Sequence, residues 1–101
     1  MDVAKKLAEL AVDEAWGACR YARMAVTHRP HPNIAATLAT ITDQELAHSE
    51  MLLAAAESVL SSLDPETDEY KATSAVMDYI RDMQAEKVNE AKRYLAQYRG
   101  M

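Results

Sequence analysis

The stretch ITDQELAHSEMLL, residues 41–53, combines an apolar helical pattern with two polar side chains. The apolar positions that recur at helical spacing are Ile41, Leu46, Ala47, Met51, Leu52 and Leu53. Glu45 and His48 interrupt them at positions i and i+3, so both polar side chains point in the same direction. Either this face of the helix turns toward water, or the carboxylate and the imidazole together bind something.

The composition predicts one all-α domain. A chain of 101 residues is close to the commonest domain size, so we expect residues 1–101 to fold around a single core. Two Gly, three Pro and no Phe, together with many helix-favouring residues, indicate helices rather than strands.

Charge and hydropathy restrict the classes of partner. The net charge of −5 argues against nucleic-acid binding, which usually requires a basic patch. No apolar run approaches the roughly 18 residues of a membrane span, and the amino-terminal residues lack the apolar core of a secretory signal. Cys19 has no second cysteine to pair with, which suits a reducing cytoplasm, and we predict that it is a small buried residue.

Two proline-containing segments divide the chain into three helices. HRPHPN (28–33) and SSLDPETDEY (61–70) interrupt the helical pattern because proline cannot continue a helix. We therefore predict helix α1 from about Asp2 to Thr27, helix α2 from Asn33 as N-cap to Ser61, and helix α3 from Asp64 as N-cap and Pro65 as first residue to about Tyr98.

A seven-residue rhythm predicts the inward face, or seam, of each helix. In α1 it selects Leu7, Leu10, Glu14, Gly17, Tyr21, Met24 and His28. In α2 it selects Ile34, Leu38, Ile41, Glu45, His48, Leu52 and Ala55. In α3 it selects Met77, Ile80, Gln84, Val88, Ala91, Leu95 and Tyr98. Glu14, Glu45 and His48 therefore fall on predicted apolar seams.

The same three residues are also predicted to lie at one height. A short turn makes α1 and α2 antiparallel neighbours, and reflecting Glu14 through that turn places it opposite position 47. An isolated carboxylate buried there costs several kcal/mol unless it is paired or bound to a cation. The sequence thus predicts a metal site with Glu14, Glu45 and His48 as ligands.

This constellation resembles half of a ferritin-like di-iron site, which joins a Glu of one helix to a Glu-x-x-His of another. Glu14 and the motif ELAH (45–48) match the two parts, and the chain resembles the ferritin and rubrerythrin superfamily over roughly residues 5–60. The likeness is strongest to the short encapsulated ferritins, which carry one half-site per chain.

The resemblance implies a ferritin-like helical hairpin plus a third helix, with a homodimer completing the four-helix site. Two copies each of Glu14, Glu45 and His48 would then form the di-iron centre. The implied activity is that of a ferroxidase, in which O2 or peroxide oxidises Fe(II). Glu14 and Glu45 would be terminal and bridging carboxylates, and His48 would supply a nitrogen suited to iron, manganese or zinc.

The sequence also departs from that family. A full ferritin domain has a second Glu-x-x-His on a fourth helix, whereas α3 offers DYIR (78–81) at the expected height, with arginine in place of histidine. The carboxyl end AQYRGM does not resemble an encapsulin-targeting tail, so the resemblance implies a metal site more firmly than a nanocompartment partner.

Two other functions remain open at this point. The first is a metal-free helical interaction module, in which the polar seam residues set the register of a dimer. The second is a rubrerythrin-like peroxide scavenger, which the absence of a rubredoxin domain with paired cysteines weakens. We interpret the remaining conspicuous side chains as structural: Trp16 and Tyr21 as packing residues, His28 and His31 as exposed loop residues, and Glu86 and Glu90 as a solvated face.

Overall fold

The computed structural model describes residues 2–100 and contains three helices and no strand in that range. They are α1 (Asp2–Thr27), α2 (Pro32–Ser61) and α3 (Asp68–Arg99). Side-chain contacts show that α2 runs antiparallel to both α1 and α3, which gives an elongated up-down-up bundle of 55 × 16 × 15 Å. The all-α prediction is confirmed, and α1 has the predicted bounds.

The N-cap at the first turn lies two residues before the predicted one. Helix α2 begins at Pro32, and its N-cap is His31, whose side chain makes no capping hydrogen bond. The prediction of Asn33 as N-cap is wrong because proline is itself favoured at the first helical position. Its φ angle is already helical there, and its missing N–H has no partner to lose.

The second turn differs more, because Asp64 closes a turn instead of starting the helix. Its carboxylate accepts a hydrogen bond from the Glu66 backbone N–H at 3.0 Å, and its carbonyl accepts one from the Thr67 N–H at 3.1 Å. Thr67 is the N-cap of α3, and its hydroxyl accepts a hydrogen bond from the Tyr70 N–H at 3.1 Å. Aspartate is favoured both at helix N-caps and in turns, and in this structure Asp64 belongs to the turn.

Helix α1 is the centre of the bundle. It packs extensively against both α2 and α3, whereas α2 and α3 contact each other little. A stripe of fully buried alanines runs along its length: Ala4, Ala8, Ala11, Ala15, Ala18, Ala22 and Ala25. Such small side chains let both neighbours approach α1 closely, and the larger residues of α2 and α3 fill the space around the stripe.

Because α1 faces two helices at once, its buried stripe lies one residue away from the predicted seam. Leu10 and Met24 are exposed, as is Ile34 at the start of α2. One residue corresponds to about 100° of rotation around a helix. The seam of α3 is confirmed, since its members from Met77 to Leu95 are buried. Most seam residues of α1 and α2 instead line an open edge of the bundle, although Gly17 and Leu38 are buried.

The other structural interpretations meet mixed outcomes. Cys19 is buried and Tyr21 packs against the core, as predicted. His31 is exposed as predicted, and His28 is partly buried. Trp16 packs against the ammonium group of Lys87, although half of the residue is exposed. Glu90 is also not simply solvated, since it is paired with Lys87.

Candidate metal centre

The three sequence-predicted ligands converge on one point between α1 and α2. Glu14, Glu45 and His48 each offer one ligand atom, and these atoms all lie within 4.8 Å of one another. Nδ1 of His48 lies 3.9 Å from Oε2 of Glu14. The reflection of Glu14 through the first turn therefore places it at the correct height on α2.

The cluster lies at the surface of the chain and not in an interior seam. The His48 side chain is 56% exposed and that of Glu14 is 30% exposed. A cavity of about 370 Å³ opens beside them, and its other walls are apolar: Met51, Leu52 and Ala55. The prediction that the three ligands lie in a buried seam is wrong. Both helices are rotated relative to the predicted orientation, so the ligands are accessible to solvent.

One atom of the cluster lacks any hydrogen-bond partner. Oε2 of Glu14 is buried, and no donor within residues 2–100 bonds to it. Buried polar atoms are nearly always hydrogen-bonded, and a buried carboxylate oxygen without a partner is costly. This oxygen therefore lacks a partner in a site that also contains a second carboxyl and an imidazole, and either a proton shared with Glu45 or a bound cation would supply one.

The two carboxyl groups interact strongly. The Glu14 carboxylate raises the pKa of Glu45 to about 7, because it favours a protonated Glu45 that donates a hydrogen bond to it. Burial and the negative charge of Glu14 raise the pKa of Glu45 further, while His48 acts in the opposite direction. A bound cation removes the same repulsion without requiring a proton.

Gly17 makes room for the Glu45 carboxylate. A Cβ atom at position 17 would lie 2.8 Å from Oε2 of Glu45, closer than side-chain atoms approach. Gly17 is one turn beyond Glu14 on α1 and is itself buried. The absence of a side chain there allows Glu45 to lie against the α1 backbone beside Glu14.

A buried polar network fixes the helices at the height of the cluster. The Ser49 hydroxyl donates a hydrogen bond to the Ala11 carbonyl at 2.7 Å and accepts one from Nε2 of Gln84 at 3.0 Å. These contacts join all three helices next to His48. Sequence reasoning placed Gln84 on the α3 seam but assigned it no role, although a polar residue on an otherwise apolar seam was the available signal.

The DYIR segment of α3 does not lie at the height of the cluster. Arg81 donates hydrogen bonds to Glu57 of α2 and to Asp78 of its own helix, each at 2.8 Å. Glu57 lies more than two turns beyond His48 in α2, so these residues form a separate ion-pair group. The expectation that DYIR lies at the height of the site is wrong, and Gln84 occupies that height.

Comparisons with protein-family models, with curated proteins and with solved structures found no match to this chain. The ferritin-like assignment therefore stays a prediction from the residues. In addition, none of the three helices within the described range is both long and apolar enough to cross a membrane.

The donor set itself suits a transition metal. Two carboxylates and one imidazole provide oxygen and nitrogen ligands of the kind that iron, manganese and zinc accept. The Glu14 oxygen without a partner, the mutual repulsion of the carboxyls and the space at Gly17 all agree with a cation between α1 and α2. One chain offers three such residues, which leaves further coordination positions for other ligands.

Proposed function

We propose that this protein binds iron at a dinuclear site shared by two copies of the chain and oxidises Fe(II) there. The observation that carries the proposal is the buried Glu14 oxygen, which has no hydrogen-bond partner in residues 2–100 and lies beside Glu45 and His48. Paired carboxylates with a Glu-x-x-His on a facing helix are the donors of di-iron carboxylate sites.

The position of the cluster supports a second copy as the source of the remaining ligands. Leu10 is about half exposed and Met51 is 69% exposed, and both lie on the open edge near the cluster. Exposed apolar residues around a polar site are typical of an interaction surface. A two-fold dimer through this edge would place two equivalent clusters face to face, because a two-fold interface joins identical surfaces.

The residues of this chain would hold and neutralise the substrate ions. Glu14 and Glu45 supply negative charge that favours Fe(III) over Fe(II), and His48 supplies the nitrogen ligand. Two Fe(II) ions release two electrons, which reduce one hydrogen peroxide to water or one O2 to hydrogen peroxide, with protons taken from solvent.

The test is an anaerobic titration of metal-free protein with Fe(II), combined with analytical ultracentrifugation. We expect about one iron per chain and a dimer that tightens as iron is added, because a ligand that binds only the assembled state stabilises it. Two tightly bound ions in a monomer would exclude the shared site, and the absence of tight binding would overturn the proposal.

A matched pair of variants separates this proposal from the metal-free interaction module. Glu14→Gln keeps the shape of a ligand but weakens its bond to a hard cation, so the response of the dimer to iron should diminish. Asp13→Asn removes the same charge from the next, exposed residue and should leave that response unchanged. A dimer that is indifferent to iron, to chelator and to both substitutions would support the metal-free module instead.

A further inference from the structure

A second site is formed on the opposite side of α1, in the groove between α1 and α3. Here a cavity of about 410 Å³ is lined by Trp16, Cys19, Arg20, Arg23, Lys87 and Glu90. Three cationic side chains and one carboxylate thus surround it, although the chain as a whole carries a net charge of −5. This local excess of positive charge runs against the overall composition and indicates an anionic ligand.

The one carboxylate that lines this cavity, that of Glu90, is already paired within the protein. Nζ of Lys87 donates a hydrogen bond to Oε2 of Glu90 at 3.0 Å, and this hydrogen bond lowers the pKa of Glu90. Burial raises the pKa of the Cys19 thiol, and the neighbouring Glu90 raises it further, so Cys19 stays neutral. Neither group provides a charge that neutralises the arginines.

Lys87 is held in place before any ligand arrives. Its side chain is only 17% exposed, and its Nζ lies 3.8 Å from the centre of the Trp16 ring. The contact with Glu90 on one side and with the indole on the other restricts the ammonium group to one position. A cation fixed in this way loses little conformational entropy when it binds an anion.

Arg20 and Arg23 are the groups without partners. They are three residues apart on α1 and therefore point in the same direction. Neither guanidinium has an ion pair or a side-chain hydrogen bond in the part of the chain that the structure describes. Two planar groups with several donors each can bind the oxygens of one phosphate group from adjacent directions.

We propose that this cavity binds the phosphate group of a small molecule, with Arg20 and Arg23 as its principal contacts and Lys87 as a fixed third cation. A phosphate carries more charge and more acceptor oxygens than a carboxylate, and so better matches the net excess of two positive charges that three cations and one carboxylate leave in this cavity. The volume of the cavity exceeds that of a free phosphate ion, and the half-exposed Trp16 adds an apolar wall. These features favour a phosphate ester over inorganic phosphate.

The experiment is isothermal titration of metal-free protein, with chelator present and ionic strength held constant. The three ligands are inorganic phosphate, adenosine 5′-monophosphate and adenosine. We expect saturable binding of the monophosphate, weaker binding of inorganic phosphate and none of adenosine. Equal binding of the two phosphates would assign the site to inorganic phosphate. Binding of adenosine as tight as that of its monophosphate would overturn the proposal.

Substitutions locate the binding. Arg20→Gln and Arg23→Gln should each weaken it roughly tenfold, because each removes charge-assisted hydrogen bonds. Lys6→Gln is the control: it removes a positive charge from an exposed position of α1 that is about three turns from the nearest residue of the cavity. It should have no effect on binding. Trp16 is the only tryptophan, so its emission should change with ligand in parallel. No saturable binding by wild type, or equal binding by all variants, would refute the site.

Discussion

His48 and Ser49 are adjacent in α2, yet the polar groups beside them differ in whether their hydrogen bonds are satisfied. Ser49 is fully buried, and its hydroxyl both donates to Ala11 and accepts from Gln84. Beside His48, in contrast, Oε2 of Glu14 is buried without any partner in residues 2–100. The helices therefore satisfy the hydrogen bonds of Ser49, but they leave a buried oxygen of Glu14 without a partner beside the adjacent residue, His48.

This difference separates the residues that stabilise the fold from the residues that are available to bind a ligand. The groups of the Ser49 network satisfy one another, with Gln84 donating to both the Ser49 hydroxyl and the Glu50 carboxylate, and such a network specifies how helices fit together. The cluster at His48 brings together two carboxyls that repel each other, which favours no folded structure by itself. Residues that break the rules of packing in this way are expected at functional sites.

The largest expected effect is on iron affinity. His48→Ala and Glu45→Ala each remove a ligand, and we expect each to weaken Fe(II) binding by about 100-fold or more, since even indirect neighbours of a metal contribute about 10- to 100-fold. Competition with a coloured chelator under anaerobic conditions measures this. Gln44→Ala, at an exposed neighbouring position, is the control. A variant that retains wild-type affinity would remove its residue from the ligand set.

The second effect falls on stability rather than binding. Ser49→Ala leaves the Ala11 carbonyl without its side-chain donor and leaves Gln84 with only its longer hydrogen bond to Glu50, so the free energy of unfolding should fall by about 1–3 kcal/mol. Urea denaturation of metal-free protein measures the loss, and Ser58→Ala at an exposed position is the control. Iron affinity should change much less than in His48→Ala. Unchanged stability would contradict the distinction between the two neighbours.

The fold was predictable where the buried face of a helix is formed by large apolar residues. The strict seven-residue pattern of α3 identified its buried face, whereas α1 contacts two helices and its alanine stripe carries little hydropathy contrast. The height of Glu14 followed from the short first turn alone. At the second turn, Asp64 and Thr67 are both favoured caps, and only their actual hydrogen bonds decide between them.

The candidate site was predictable in its residues but not in its surroundings. Charged residues on predicted apolar seams gave Glu14, Glu45 and His48. The space beside Gly17 and the bond between Ser49 and Gln84 depend on distances across helices, which no periodicity contains. The same limit applies to Trp16 and Lys87, whose contact joins positions 71 residues apart in sequence.

The third prediction concerns the space at Gly17. Gly17→Ala places a Cβ atom where the Glu45 carboxylate now lies, so that carboxylate must move. We expect iron affinity to fall about tenfold, equal to about 1.4 kcal/mol. Stability of the metal-free protein should hold or rise, because alanine favours a helix by about 1 kcal/mol over glycine.

A double substitution isolates this effect. In a Glu45→Ala background, Gly17→Ala no longer meets a carboxylate, so it should stabilise the metal-free protein at least as much as in wild type. Thermal or urea denaturation of the four proteins gives the coupling. Undiminished iron affinity in Gly17→Ala would show that the position of Glu45 next to α1 is not the one used for binding.

The smallest expected effect is the pH dependence of stability in the metal-free protein. The pKa of Glu45 is about 7 in the folded chain, against 4.5 as its ordinary value. Between these two values the folded state keeps a proton that the unfolded state has lost. Stability therefore falls as pH rises from about 4.5 to about 7, and it changes no further above that range on account of this group.

Glu45→Gln tests this sign, because an amide of nearly the same shape does not titrate. Other carboxyl groups contribute to the slope of both proteins, so the measured quantity is the difference between their unfolding free energies at each pH. We expect the wild type to lose stability relative to Glu45→Gln as pH rises to about 7. Iron should reverse the trend in the wild type, because a ligand carboxyl must be deprotonated before it binds a cation. A difference that is independent of pH would show that Glu14 does not hold a proton on Glu45. The contrast with the fully satisfied Ser49 network would then rest on the free Glu14 oxygen alone.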